Sequence, residues 1–142
     1  MKKLFSYSSL LLGALVVIII INPGCKKEKS VSNKALLTAH PWNYVKAETT
    51  STDSTIINGV ALANALMTGA VMTFKDDGTY TLTAMNQTQK GTWKLSTDEK
   101  IITIDNGDPE TIVTLTDTEF VLKEDMTDSH GNPYSTSIFW RK

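Results

Sequence analysis

Cysteine and arginine each occur once in this chain, and histidine twice. A lone Cys25 rules out an intrachain disulfide, the staple on which many small exported domains depend. His40 and His130 lie far apart with no second cysteine to join them, and zinc needs three or four converging ligands, so neither a metal nor a cofactor is expected. Arg141 is accompanied only by scattered lysines. With 14 basic against 15 acidic residues and a net charge of −1, the chain has no clustered positive surface to displace counterions from a phosphate backbone. Nucleic acid is therefore not expected as a partner. There is no Gly-x-Ser-x-Gly elbow and no phosphate-cradling glycine loop, and the serines crowd into the leader and loops rather than near a histidine on a scaffold, so the chain is not expected to be an enzyme.

The acidic residues read as punctuation. Asp76 and Asp77, and the group at 105–108, fit turns in which a short carboxylate bonds its own backbone. With Glu110 added, the latter group still lacks the spacing of a calcium loop. Glu124 and Asp125 are adjacent, and adjacent residues of a strand point to opposite faces, so they cannot share a substrate.

No apolar run reaches the roughly 20 residues needed to cross a bilayer as a helix. Residues 10–21 form a shorter one, preceded by Lys2 and Lys3 and ended by Pro23 and Gly24, which is the pattern of a cleavable secretory leader. Gly24 followed by Cys25 resembles the end of a bacterial lipobox, with Asn22 and Pro23 standing where that pattern has an aliphatic and then a small residue. The resemblance implies that Cys25 receives a diacylglycerol thioether and becomes the new N-terminus, and several acyl chains hold a soluble domain on a membrane stably. The expected organisation is a leader over 1–24, a lipidated N-terminus and polar tether over 25–34, and one domain over 35–142. By further resemblance to lipoproteins of the Bacteroidota, lysines outnumbering Glu28 after the cysteine imply the periplasmic face rather than the cell surface. Lys26 in place of a retention aspartate implies the outer membrane. Asp53, Ser54 and Thr55 resemble the O-glycosylation pattern of the same bacteria, which would put a glycan on Ser54.

From Trp42 onward, Thr, Val, Ile and aromatic residues recur in short runs separated by Gly, Asn and Asp, which predicts an all-β domain of about eight antiparallel strands. The clearest unit is a hairpin: residues 71–74, a turn at Asp77 and Gly78, then residues 79–84, where Tyr80, Leu82 and Ala84 alternate with threonines. Trp93 and Leu95, Ile102 and Ile104, Val113 and Leu115, Phe120 and Leu122, and Ile138 and Trp140 continue the pattern. The exception is 57–72, where a helix concentrated near 60–68 is expected, with Asn58 as N-cap and Gly69 as the stop. Its central polar residue is Asn64, so it must cover the mouth or side of the sheet.

Leu37, Thr38, Ala39, His40, Pro41 and Trp42, the run Thr73, Phe74, Lys75, Asp76, Asp77, Gly78, Thr79 and Tyr80, and Gly91, Thr92 and Trp93 together resemble the lipocalin-like domains of Bacteroidota lipoproteins. That family implies an eight-stranded up-and-down β-barrel, a β-sandwich being the alternative fold. Trp42 would pack across the closed end with Arg141, His40 standing at a position where the family has glycine. Tyr80, Leu82, Trp93, Ile102, Ile104, Phe120 and Leu122 would point inward and line a ligand pocket. The implied function is a membrane-tethered, monomeric, non-catalytic domain that binds a small apolar or amphipathic ligand. The alternative is a packed barrel whose outer surface contacts an envelope protein or glycan. The two differ in whether the barrel leaves a void on the order of 300 Å3 or more.

Overall fold

The computed structural model describes residues 31–142. The leader, Cys25 and most of the tether lie outside the described residues. Ten elements follow in order: α1 (Asn33–Thr38), β1 (Trp42–Thr49), α2 (Ser54–Met67), β2 (Val71–Phe74), β3 (Thr79–Ala84), β4 (Gln87–Leu95), β5 (Ile101–Ile104), β6 (Glu110–Leu115), β7 (Glu119–Thr127) and β8 (Pro133–Arg141). Every neighbouring pair of strands is antiparallel, and β8 returns to pair with β1. The result is one closed up-and-down barrel and not a sandwich; closure leaves no sheet edge between β8 and β1.

The register sorts the inward side chains into layers. Around β6, β7, β8 and β1 the lowest layer is Leu115, Phe120, Trp140 and Tyr44, and the next is Ile112, Leu122, Ile138 and Ala47. On the other half of the wall, Phe74 opposes Tyr80, Met72 opposes Leu82, and Trp93 opposes Ile104. These residues, with Trp42 and Ile102, form one core in which Phe120, Ile102 and Trp42 are wholly buried. Aromatic rings interlock across the floor: Phe74 meets Trp93 and Phe120 edge-on at 5.3 and 6.0 Å, and Tyr44 meets Trp140 at 5.3 Å.

Strict alternation fails at two places. The register shifts between Tyr44 and Lys46 in β1, and between Ile112 and Thr114 in β6. An extra residue at a bulge lets Tyr44 and Ala47, and likewise Ile112 and Leu115, face inward although each pair is three apart. The residues thrown outward are Val45 and Val113, 45% and 55% exposed. The expectation that Val113 faces the core is corrected here.

The closed end is sealed by α1, an element absent from the sequence reading. Ser32 caps it by accepting from Ala35 N at 3.1 Å, and it plants the fully buried Leu37 beneath the barrel. Trp42 Nε1 donates to Leu37 O at 2.9 Å, tying helix to floor. His40 fills the expected glycine position by lying on Trp42 at 4.4 Å while its Nε2 bonds Asp117 O at 2.8 Å. Arg141 does not join Trp42. It follows the inward Trp140 on β8 and so faces out, 68% exposed at its side chain and 3.9 Å from Glu119.

Helix α2 begins earlier than expected. Its N-cap is Asp53, whose side chain accepts from Thr55 N at 2.7 Å, and Asn58 lies inside the helix. It ends as expected, Gly69 adopting φ +75° just beyond Thr68. The ladder between β1 and β2 extends only from Trp42–Met72 to the bond from Tyr44 N to Ala70 O, so the upper half of β1, paired with β8 on one side, has no strand on the other. The helix covers that gap. Asn64 accepts from Ala47 N at 2.6 Å and donates to Ala47 O at 2.9 Å, replacing the missing ladder bonds, and also accepts from Tyr44 Oη.

Candidate functional site at the barrel mouth

The seven residues expected to line a pocket divide unevenly. Tyr80, Trp93, Ile102, Phe120 and Leu122 are buried in the packed core, and Leu82 and Ile104 pack partly buried against it. The lower interior is therefore filled. Trp93 also serves as a clamp, its Nε1 donating to the carbonyls of Lys75 and Thr79 across the β2–β3 turn. Two of the seven reach an opening: Trp93 edges a cavity of about 290 Å3 beside Gly78 and Leu95, and Leu82 lines a groove of about 450 Å3 between the end of α2 and the β3–β4 hairpin, with Leu66, Met67, Ala84, Met85, Gln87 and Gln89. Its walls are mostly apolar, with two amides at one side, which suits an amphipathic small molecule.

Helix α2 contributes more apolar surface than it hides. None of its 14 residues is charged, and Ile57, Leu62 and Leu66 are 45%, 61% and 45% exposed. Ile56, Val60, Asn64 and Met67 form the inner, half-buried stripe. With Met85, 69% exposed at the hairpin tip, Leu66 makes the groove an apolar rim open to solvent.

Above the two apolar layers, the same four strands carry a polar one. Thr49 opposes Thr136 and Thr136 opposes Glu124. One residue beyond the Thr111–Lys123 pair, Glu110 and Glu124 face each other from β6 and β7. Both are half-buried, two positions along from the inward Ile112–Leu122 pair. Burial, with the adjacent Glu124 charge adding to it, pushes the Glu110 carboxyl from 4.5 up to about 7. Sequence reasoning missed Glu110 because it follows a run of turn residues. Its spacing of two from Ile112 is a signal that could have found it.

Another carboxylate, on Asp105, is structural. It accepts from Tyr80 Oη at 2.5 Å and from Thr92 N at 2.8 Å, passing across Gly91, where an added Cβ would collide with it. Burial first, and then Asp105, push the Tyr80 phenol up to about 12, so it remains a donor at ordinary pH.

Asp53, Asp128 and His130 come together at the same end of the barrel, with one ligand atom of each within 4.8 Å of the others. These are the described residues best placed to hold a metal. Both carboxylates have local duties, however: Asp53 caps α2, and Asp128 accepts from His130 N and Asn132 N in the β7–β8 turn. Ser129 Oγ and Asp53 both approach His130 at Nδ1, at 3.4 and 4.0 Å. A relay from carboxylate to nucleophile needs the two opposite ring nitrogens, so this trio is not a hydrolytic triad. Ser54, the candidate glycan site, is exposed as the first residue of α2.

A closed eight-stranded up-and-down barrel, with a tryptophan under the first strand and a helix at the side, defines the lipocalin-like class of fold. The family model described as the lipocalin-like domain matches residues 38–122, and the chain belongs to that family. Among solved structures, the chain is similar to a DUF4847 family protein from Bacteroides vulgatus, at 17% identity and TM-score 0.47, over 74% of this chain and 95% of that one. It is also similar to bovine odorant binding protein complexed with its natural ligand, at 18% identity and TM-score 0.47, over 81% and 76%. The undecanal complex of that bovine protein matches at 18% identity and TM-score 0.45, over 75% and 72%. No curated protein matches the chain.

Proposed function

We propose that this chain is a non-catalytic, membrane-tethered binding domain that takes a small apolar or amphipathic molecule at the mouth of its barrel. The observation that carries the reading is the mostly apolar groove of about 450 Å3 between α2 and the β3–β4 hairpin, above a floor already filled by aromatics. The ligand sits against Leu66, Met67, Leu82 and Met85, above the floor rather than deep in the barrel. Native mass spectrometry of the protein purified gently from its own host tests this. A stoichiometric small molecule is expected, and repeated empty spectra together with no thermal shift from fatty acids or sterols would sink it.

The tether is the diacylglyceryl group on Cys25, and the location is the periplasmic face of the outer membrane. Support comes from the leader pattern and the residues after the cysteine. Radiolabelled palmitate should enter the wild-type protein and not Cys25→Ala; equal labelling of both would overturn it. The uncharged outer face of α2, with Leu62 its most exposed residue, favours a second reading, an interaction surface for an envelope protein.

A further inference from the structure

Between Asp53 and Lys75 the chain carries no charged residue, and most of that stretch is α2. The inner stripe of the helix packs on the barrel, while Ile57, Ala61, Leu62, Ala65 and Leu66 are exposed on its other side. A helix that is apolar on both sides is normally covered on both. Ile101 and Val113, exposed on the opposite wall, stand singly, as scattered surface residues do. Ile57, Leu62, Leu66 and Met85 instead fall together on α2 and the hairpin tip beside it, and nothing among the described residues covers them.

Charge and chain length identify the occupant. On one flank of the helix, the outer face of β3 and β4 presents Thr81, Thr83, Thr88 and Lys90, with the hydroxyls of Thr83 and Thr88 bonded at 2.9 Å. On the other flank, Lys46 and Glu48 of β1 pair with each other. The surround is therefore neutral to positive. The far half of the barrel is not: from Asp98 to the end the chain carries ten acidic residues against four basic ones. A bilayer with anionic headgroups attracts the first surface and repels the second. Asn33 is fixed at the closed end, its N bonded to Glu99 at 2.6 Å. It lies eight residues on from Cys25, a span of about 28 Å at most, which keeps the wall of the barrel within reach of the headgroups.

We propose that the outer face of α2 rests in the interface of the bilayer that holds the tether, with Leu62 and Leu66 turned into the lipid and Lys90 beside the anionic headgroups. The inference rests on the membrane-tether reading above and adds which side of the domain meets the membrane. A protein partner is held by hydrogen bonds as well as apolar contact, and the exposed side of α2 offers polar groups only at Ser54, Thr55 and Asn58 near its start. A bilayer needs apolar area and a favourable charge beside it. Leu66 and Met85 also rim the groove, so the groove opens onto lipid and an amphipathic ligand enters it without crossing water.

The test uses the full lipidated chain in vesicles of phosphatidylethanolamine and phosphatidylglycerol. Cys25 has no free thiol once it carries the thioether, so Leu62→Cys supplies the one reactive thiol, and Val113→Cys, comparably exposed on the opposite wall, supplies the control. Both sites are exposed, and circular dichroism should show the barrel intact in each. The thiol is labelled with nitrobenzoxadiazole, and quenching by a spin-labelled phospholipid is read. Quenching at position 62 should exceed that at position 113 about fivefold, with blue-shifted emission at position 62 alone. Equal quenching at the two positions would overturn the inference while leaving the tether intact. So would a label at position 62 that is shielded from water yet untouched by the lipid quencher, the result expected if a second copy or another protein covers the face. Protein that fails to float with the vesicles would remove both the inference and the tether.

Discussion

Around β6, β7, β8 and β1 the floor presents Leu115, Phe120, Trp140 and Tyr44, and the uppermost layer presents Glu110, Glu124, Thr136 and Thr49. The same strands, four or five residues apart, carry closely packed aromatic and aliphatic side chains at one end and polar ones at the other. The floor holds most of the buried aromatic surface and is sealed by α1. The mouth keeps a half-buried like-charge pair and an apolar groove. Local rules of packing are followed in the floor and relaxed at the mouth. Three substitutions, taken in order of expected effect, probe that contrast.

Phe120→Ala should be the most damaging. The ring is wholly buried and touches both Trp42 and Phe74, so its loss opens a cavity in the floor. About 3–5 kcal/mol of unfolding free energy should disappear, read from urea melts. A loss below about 1 kcal/mol would mean that the floor is loosely packed and that the contrast with the mouth is false.

Asn64→Ala should come next, because it strikes the seam between the two regions. Ala47 N and O would lose their only lateral partner and Tyr44 Oη its acceptor. Leaving such groups half-buried and unpaired should destabilise by about 2 kcal/mol, and hydrogen exchange at Ala47 should quicken. Asn64→Asp retains an acceptor for Ala47 N but loses the donor to Ala47 O, so it should rescue the fold only in part. Unchanged exchange in the alanine variant would show that α2 is a passenger on the barrel and not a substitute for a strand.

Much of this architecture is legible in the sequence, and the failures have physical causes. The β2–β3 hairpin reads correctly because Met72, Phe74, Tyr80 and Leu82 alternate without interruption on either side of Gly78, which takes φ +81°. The first strand reads correctly as Trp42–Thr49, but the bulges in β1 and β6 do not show in the sequence; each adds one residue, turning Val45 outward and, against expectation, Val113. The start of α2 is misplaced because Asp53 and Asn58 are equally good caps by residue type, and the choice is made by the turn that Ser51 and Asp53 build after β1. Arg141 was decidable: with Trp140 facing in, its neighbour must face out. Helix α1 is too short to give a periodic signal. At the mouth, Leu82 was found by alternation, whereas Leu66 and Met85 come to the groove from a helix and a turn that only the folded chain brings together.

Glu110→Gln is the smallest of the three effects and the one that separates mouth from floor most cleanly, since its sign depends on pH. The folded protein holds Glu110 at about 7 against an ordinary 4.5, so between those values the native state binds the proton more tightly than the unfolded chain. The associated stability is fully present below about pH 4.5 and is lost as pH rises through about 7. Glutamine removes the ionisation, so Glu110→Gln should match the wild type near pH 4 and exceed it at pH 8 by about 1 kcal/mol. Water at the open mouth screens the pair and keeps the effect small. The pH dependence of unfolding should flatten accordingly. Phe120→Ala, in contrast, should lower stability equally at both pH values, because no titrating group touches that ring in the floor. A Glu110→Gln variant less stable than the wild type at pH 8 would mean that the carboxylate has a structural partner, and that the mouth, like the floor, is built to pack.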